Sequence, residues 1–178
     1  MRAAIGLALV AAGLAGPAAA EEGLGPVTKL PMPRYVSLNA SEINVRRGPG
    51  LDYRIDWVFR RDGLPVRVID EYASWRRIRD HEGEDGWVYH ALISGRRTVL
   101  VTLPGVLLQR EPGGAGLARP CDTLTALPAG AVACAGEGVV ARLEACAPDW
   151  CRIETGGYAG WVPKTAIWGV MATEVFGD

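Results

Sequence analysis

From residue 35 onward, apolar and polar positions alternate in runs of four to seven residues, closed by Gly, Pro, Asp or Asn. Such a period of two, rich in β-branched and aromatic side chains, predicts β-strands. The clearest runs are Ile43-Asn44-Val45-Arg46, Leu64-Pro65-Val66-Arg67-Val68-Ile69, Trp75-Arg76-Arg77-Ile78-Arg79 and Gly86-Trp87-Val88-Tyr89. No amphipathic helix of useful length interrupts them, so the pattern predicts an all-β fold.

The same order then recurs. Gly63-Leu64-Pro65-Val66-Arg67-Val68 is matched by Gly138-Val139-Val140-Ala141-Arg142-Leu143. Trp75-Arg76-Arg77-Ile78 is matched by Trp150-Cys151-Arg152-Ile153, and Gly86-Trp87-Val88 by Gly160-Trp161-Val162. From the first Gly to the first Trp the spacing is 12 residues in both copies, which marks two copies of one unit. Their expected extents are residues 35–98 and 99–170, with a tail at 171–178. The start of each copy aligns at an offset of 63 instead of 75, Val45-Arg46 facing Leu108-Gln109. The second copy therefore carries about twelve extra residues before Gly138, in a loop from Ala115 to Gly136.

Two segments precede the repeat. Arg2 stands before an Ala/Leu/Val stretch reaching Leu14, then Gly16-Pro17, Ala18-Ala19-Ala20 and Glu21-Glu22. This order is that of a signal peptide, residues 1–20, cleaved after Ala20. Its apolar part is about a dozen residues, short of the roughly 20 that a spanning helix needs, so no stable membrane insertion is expected after cleavage. Residues 21–34, rich in Gly and Pro, read as an exposed linker.

Four cysteines, Cys121, Cys134, Cys146 and Cys151, lie in the C-terminal third, an even number in a chain expected to be periplasmic or secreted. Three pairings are possible. Pro148-Asp149 forms a turn between Cys146 and Cys151, which favours pairing across a hairpin and leaves Cys121 with Cys134. Closing these two rings stabilises by about 2 and about 3 kcal/mol. Neither close pair has the spacing of a zinc motif, and no metal or cofactor is expected. The formal net charge is −1, which gives no reason to expect a nucleic-acid partner.

The residues Asn44-Val45-Arg46-Arg47-Gly48-Pro49-Gly50, then Gly63 with Val66 and Val68, Trp75-Arg76-Arg77-Ile78 and Gly86-Trp87-Val88 resemble the bacterial SH3-like (SH3b) domains. The first copy is similar throughout, more narrowly to exported two-repeat members of that family. The second departs at its start, where Leu107-Leu108-Gln109 and Glu111 replace the family's residues. The resemblance covers residues 34 to 170 and implies two tandem small SH3-like β-barrels. Gly48-Pro49-Gly50 is expected to make the turn of the long first loop. Gly86 and Gly160 are expected where backbones approach closely. Trp87 and Trp161 are expected in the barrel interiors, Trp75 and Trp150 at a partly exposed rim.

The resemblance further implies non-catalytic binding modules that recognise cell-wall peptides or other extended polypeptides. Extended ligands fit an aromatic groove beside a small barrel's long loop. The candidate ligand-binding residues are Asn44, Tyr53, Trp57, Trp75 and Tyr89. The pairs Arg46-Arg47, Arg60-Arg61, Arg76-Arg77 and Arg96-Arg97 have the chemistry to clamp carboxylates, but Asp and Glu interleave them and predict a mixed-charge surface. A cell-wall peptidase of the NlpC type needs a Cys nucleophile beside a His base. Here His81 and His90 are in the first copy and every Cys is in the second, so no catalytic residue is expected. The partner is then peptidoglycan peptide or an envelope protein. The alternatives are a scaffold subunit of an envelope complex and an accessory subunit or remnant of a cell-wall hydrolase.

N-terminal sequencing of the exported protein is expected to begin at Glu21-Glu22-Gly23; a sequence that still begins near Met1 would refute cleavage after Ala20.

Overall fold

A computed structural model describes residues 23–113, 121 and 124–177. The expected signal peptide, its cleavage point and much of the Cys121 loop lie outside the described residues. The chain forms a two-stranded ribbon, β1 (Gly23–Leu24) with β2 (Pro31–Met32), and two seven-stranded antiparallel sheets. The first sheet holds β3 (Arg34–Leu38), β4 (Ile43–Arg46), β5 (Ile55–Phe59), β6 (Pro65–Tyr72), β7 (Trp75–Arg79), β8 (Asp85–Tyr89) and β9 (Ile93–Ser94). The second holds β10 (Thr98–Val101), β11 (Val106–Gln109), β12 (Ala131–Ala135), β13 (Val140–Cys146), β14 (Trp150–Thr155), β15 (Tyr158–Pro163) and β16 (Ile167–Trp168). Their orders are β5-β4-β8-β7-β6-β3-β9 and β12-β11-β15-β14-β13-β10-β16, the same arrangement position by position.

Register confirms the internal repeat. Val36 faces Val66 as Val99 faces Ala141, and Arg46 faces Trp87 as Gln109 faces Trp161. Gly63 and Gly138 take φ of 76° and 77° before β6 and β13, and their N–H groups donate to Leu38 O and Val101 O. Both are left-handed positions where glycine costs least.

Each sheet buries one face. Val36, Leu38, Ile43, Val45, Val66, Val68, Ile78 and Val88 form the first core. Val99, Val101, Leu108, Ala141, Leu143, Ile153 and Val162 anchor the second. Trp87 and Trp161, expected in these interiors, are instead half-buried and belong to neither cluster. Strand alternation explains the correction: Gly86 and Val88 point inward, so Trp87 points outward. The inward space beside Gly86 is filled by the crossing strand. A Cβ there would lie 2.5 Å from Val45 Cγ1 and 3.0 Å from Arg46 O, and one at Gly160 would lie 2.8 Å from Leu108 Cβ.

The stretch read as an exposed linker is a docked hairpin from Gly23 onward. The turn between β1 and β2 closes over Glu71, whose side chain is fully buried. Its carboxylate accepts hydrogen bonds from Val27 N (3.1 Å), Thr28 N (2.8 Å), Thr28 Oγ1 (2.6 Å) and Arg34 Nη2 (2.8 Å), and pairs with Arg76 Nε at 3.5 Å. Burial alone raises the carboxyl pKa, but the bonds from Thr28, Arg34 and Val27 outweigh it and hold it at about 2. Gly25 is required for this closure, because a Cβ would stand 2.5 Å from Glu71 Oε2.

In the second unit, the position of Glu71 is taken by Cys146 and that of Arg76 by Cys151. Glu71 faces Arg76 across one hairpin as Cys146 faces Cys151 across the other. Cys146 and Cys151 are disulfide-bonded, and Cys134 on β12 is bonded to Cys121. Two disulfides fit a non-cytoplasmic, oxidising setting, and no helix among the described residues is long and apolar enough to cross a membrane. The tail beyond β16 folds back so that Phe176 bridges Cys146 and packs on the second core.

The units meet through a buried polar cluster. The Ser37 and Thr98 hydroxyls are hydrogen-bonded to each other at 2.6 Å, Ser37 Oγ also lying against Arg96 O and Thr98 Oγ1 against Gly63 O, each at 2.6 Å. Arg61 Nη1 reaches Gly138 O at 2.7 Å, and Tyr35 meets Trp168 edge to face at 4.9 Å.

Because the folded pKa of Glu71 lies below its ordinary 4.5, its contribution is complete above about pH 4.5 and lost as pH falls toward 2. The shift corresponds to about 3 kcal/mol. Acid unfolding of Glu71→Gln, followed by tryptophan fluorescence, should show lower stability at pH 7 and a flatter loss below pH 4.5; parallel curves would refute the assignment. Gly86→Ala should cost about 1–3 kcal/mol in urea unfolding. Gly136→Ala, where a Cβ meets nothing within 4 Å, should be neutral.

Candidate functional site

The first unit carries an apolar groove of about 590 Å³, lined by Pro49, Leu51, Tyr72, Ala73, Ser74, Trp75 and Tyr89. One wall is the loop between β4 and β5. Its shape follows from Gly48: the Tyr53 ring lies where a Cβ on Gly48 would be. Arg46 Nη1 donates to Leu51 O (2.9 Å) and Tyr53 O (2.7 Å), fixing the loop from beneath. Pro49 and Leu51 are thereby presented to the groove, Leu51 being 75% exposed.

The other wall is the β6–β7 hairpin. Tyr72 and Trp75 face each other across a two-residue turn, Ala73-Ser74, with Ala73 at φ 46°. Arg76 Nη1 donates to Ala73 O and Trp75 O, and His90 N donates to Ser74 O, so both sides of the tip are held. Trp75 also faces Tyr89 on β8, the rings 5.7 Å apart in an edge-to-face contact. Tyr72 and Tyr89 are 62% and 42% exposed, a large aromatic surface for so small a unit. No lining residue is charged, so the groove suits apolar groups and backbone dipoles over ions.

Of the candidates read from the sequence, Trp75 and Tyr89 line this groove. Tyr53 stands behind it, bracing the loop on Gly48 and Gly50. Asn44 is exposed on β4 but not part of the groove. Trp57 packs on the first core, edge to face with Phe59 at 6.1 Å. Tyr72 and Leu51 were not singled out from the sequence. The signal for Tyr72 was its place opposite Trp75 on either side of a hairpin turn; nothing in the sequence pointed to Leu51.

In the second unit, Ala147 and Pro163 occupy the places of Tyr72 and Tyr89, beside Trp150. The aromatic walls therefore belong to the first unit.

The arginine pairs are engaged elsewhere. Arg47 and Arg54 bind Asp56, Arg60 binds Glu42, Arg77 and Arg79 bind Asp85, and Arg96 faces Asp62. These exposed pairs form the mixed-charge surface that the interleaved acids predict, each contributing little to stability. All four cysteines are bridged, so none is a thiolate nucleophile. His81 sits in the β7–β8 turn, which Asp80 Oδ1 shapes by accepting from Glu82 N and Glu84 N.

A family model of the bacterial SH3 domain matches residues 39–95 and 129–169, more than half of the chain. No curated protein matches it. Among solved structures, NlpC2 from Trichomonas vaginalis is similar at 13% identity and a TM-score of 0.32, over 76% of this chain and 48% of that one. NlpC1 from the same organism is similar at 14% identity and a TM-score of 0.33, over 81% and 48%. This chain spans about half the length of each, and likeness at that level bears on neither mechanism nor substrate. Bacterial SH3 domains are typically non-catalytic binding domains. With one matched segment in each sheet, the chain belongs to the bacterial SH3 domain family and carries that domain twice.

Proposed function

We propose that this protein is a non-catalytic binding module exported to the bacterial cell envelope, and that its first unit binds extended cell-wall peptide. The observation that carries this reading is the exposed, uncharged groove between Leu51 on one side and Tyr72, Trp75 and Tyr89 on the other. An extended peptide laid along it covers aromatic faces that otherwise contact water, and each Å² of apolar surface so removed from water contributes roughly 25 cal/mol. The walls are set by Arg46, Arg76 and backbone hydrogen bonds before any ligand arrives, so little ordering is needed on binding.

In this reading each seven-stranded sheet curls into an SH3-like barrel, the two extending over about residues 35–98 and 99–170. The signal peptide directs the chain out of the cytoplasm, and the disulfides of the second barrel form there. The second barrel, with Ala147 and Pro163 at its rim, supports the first instead of duplicating its groove.

The test is retention of the oxidised protein, from Glu21 onward, on insoluble peptidoglycan. Trp75→Ala should lower the affinity about thirty-fold, the loss expected of a central aromatic anchor. Tyr158→Ala, an exposed aromatic of the second unit, should bind as wild type. Retention no greater than that of an unrelated secreted protein would sink wall binding and leave a scaffold for an envelope protein as the function.

A further inference from the structure

The second unit shows what the hairpin end of this domain can hold. Its own tail lies there, turning from Met171 to Glu174, where Glu174 N donates to Met171 O, and is fastened at three points. Arg97 forks onto Glu174, Nη1 donating to Oε1 and Nη2 to Oε2 at 3.0 Å. Lys164 Nζ donates to Ala172 O (3.0 Å) and Glu174 O (2.6 Å). Phe176 exchanges both backbone hydrogen bonds with Cys146. Burial raises the Glu174 pKa, but the bonds from Arg97 and from Met171 N–H more than reverse it, so the carboxylate is charged where it is bound.

The same positions exist in the first unit. Arg34 precedes Val36 by two residues as Arg97 precedes Val99, and Val36 and Val99 hold the same place in the two ladders. His90 opens the short helical turn that Lys164 opens in the second unit, and Ser94 stands where Trp168 stands. The following chain cannot return as the tail does, because Gly95, Arg96 and Arg97 lead into β10. What remains is a pocket of about 280 Å³ bounded by Arg34, Arg76, His90 and Ser94, with Thr28 and Leu30 of the N-terminal hairpin opposite. Arg34 Nη2 is committed to Glu71, but Arg34 Nη1 and Ser94 Oγ are buried with no hydrogen-bond partner among the described residues. Two guanidinium groups face one carboxylate here, so the pocket has a net positive charge.

We infer that this pocket is a second ligand site, which takes a carboxylate side chain presented by a peptide turn as the second unit takes its own Glu174. Arg34 Nη1 and Ser94 Oγ donate to the carboxylate, and His90 stands at the chain position from which Lys164 reaches the tail's carbonyls. The site shares no lining residue with the aromatic groove, though His90 packs on Tyr89 at 4.8 Å and Arg76 serves both.

The probe is a peptide with the sequence Val170–Gly177, blocked at both ends so that the glutamate is its only carboxylate, titrated into the full oxidised chain and followed by amide NMR. Saturable shifts at His90, Ser94 and Gly95 are expected, at least ten-fold weaker for the peptide carrying E174Q. In the protein, Arg34→Lys keeps a charge for Glu71 but loses the fork and should weaken binding about ten-fold. His90→Ala, at an exposed position, tests the site without disturbing the core and should weaken binding several-fold. Trp75→Ala should bind the peptide as wild type. No binding at millimolar peptide, shifts confined to the surroundings of Lys164, or equal affinity for the glutamine peptide would each overturn the assignment.

Discussion

Glu71 is the point on which the first unit turns. A fully buried carboxylate is tolerated only when its oxygens are satisfied, and here the donors come from three separate places: the N-terminal hairpin, β3 and β7. That requirement converts a Gly/Pro-rich lead-in into structure. It also places Arg34 and Arg76 side by side at the hairpin end and orients Arg76 so that its Nη1 holds the tip between Tyr72 and Trp75. The geometry of the aromatic groove and of the pocket beside Arg34 thus traces to one buried charge.

A β unit of about 60 residues buries too little surface to be generous with its ends. Each unit has a flanking segment laid on one residue of its hairpin, Glu71 of β6 in the first and Cys146 of β13 in the second. One cover arrives from before the sheet and is held by side-chain hydrogen bonds to Glu71; the other arrives from after it and is held by backbone exchange at Cys146. Between them, the buried hydroxyls of Ser37 and Thr98 join the two units beside the Arg96 and Gly63 carbonyls, so the joint is polar.

The repeat was legible because it is written in spacings: Gly to Trp and Trp to Gly-Trp-Val recur in order, and turns enforce such distances. The groove was half legible. Trp75 and Tyr89 are adjacent on paired strands, and strand pairing follows from the repeat, whereas Leu51 enters through the conformation of a loop that Tyr53 and Arg46 shape by contacts distant from any pattern. Trp87 and Trp161 misled because size was read as burial; the inward positions on that strand belong to Gly86 and Val88, and the crossing backbone leaves no room for an indole. The N-terminal hairpin was illegible because its fold depends on Glu71, more than forty residues away, and no local signal marks an acid that will be buried.

The exchange of Glu71 and Arg76 for Cys146 and Cys151 at one hairpin position gives the two halves opposite chemical vulnerabilities. An ion pair opens to acid and is indifferent to thiols; a disulfide opens to thiols and is indifferent to acid. A medium harsh in one of these respects therefore finds one of the two hairpin locks intact.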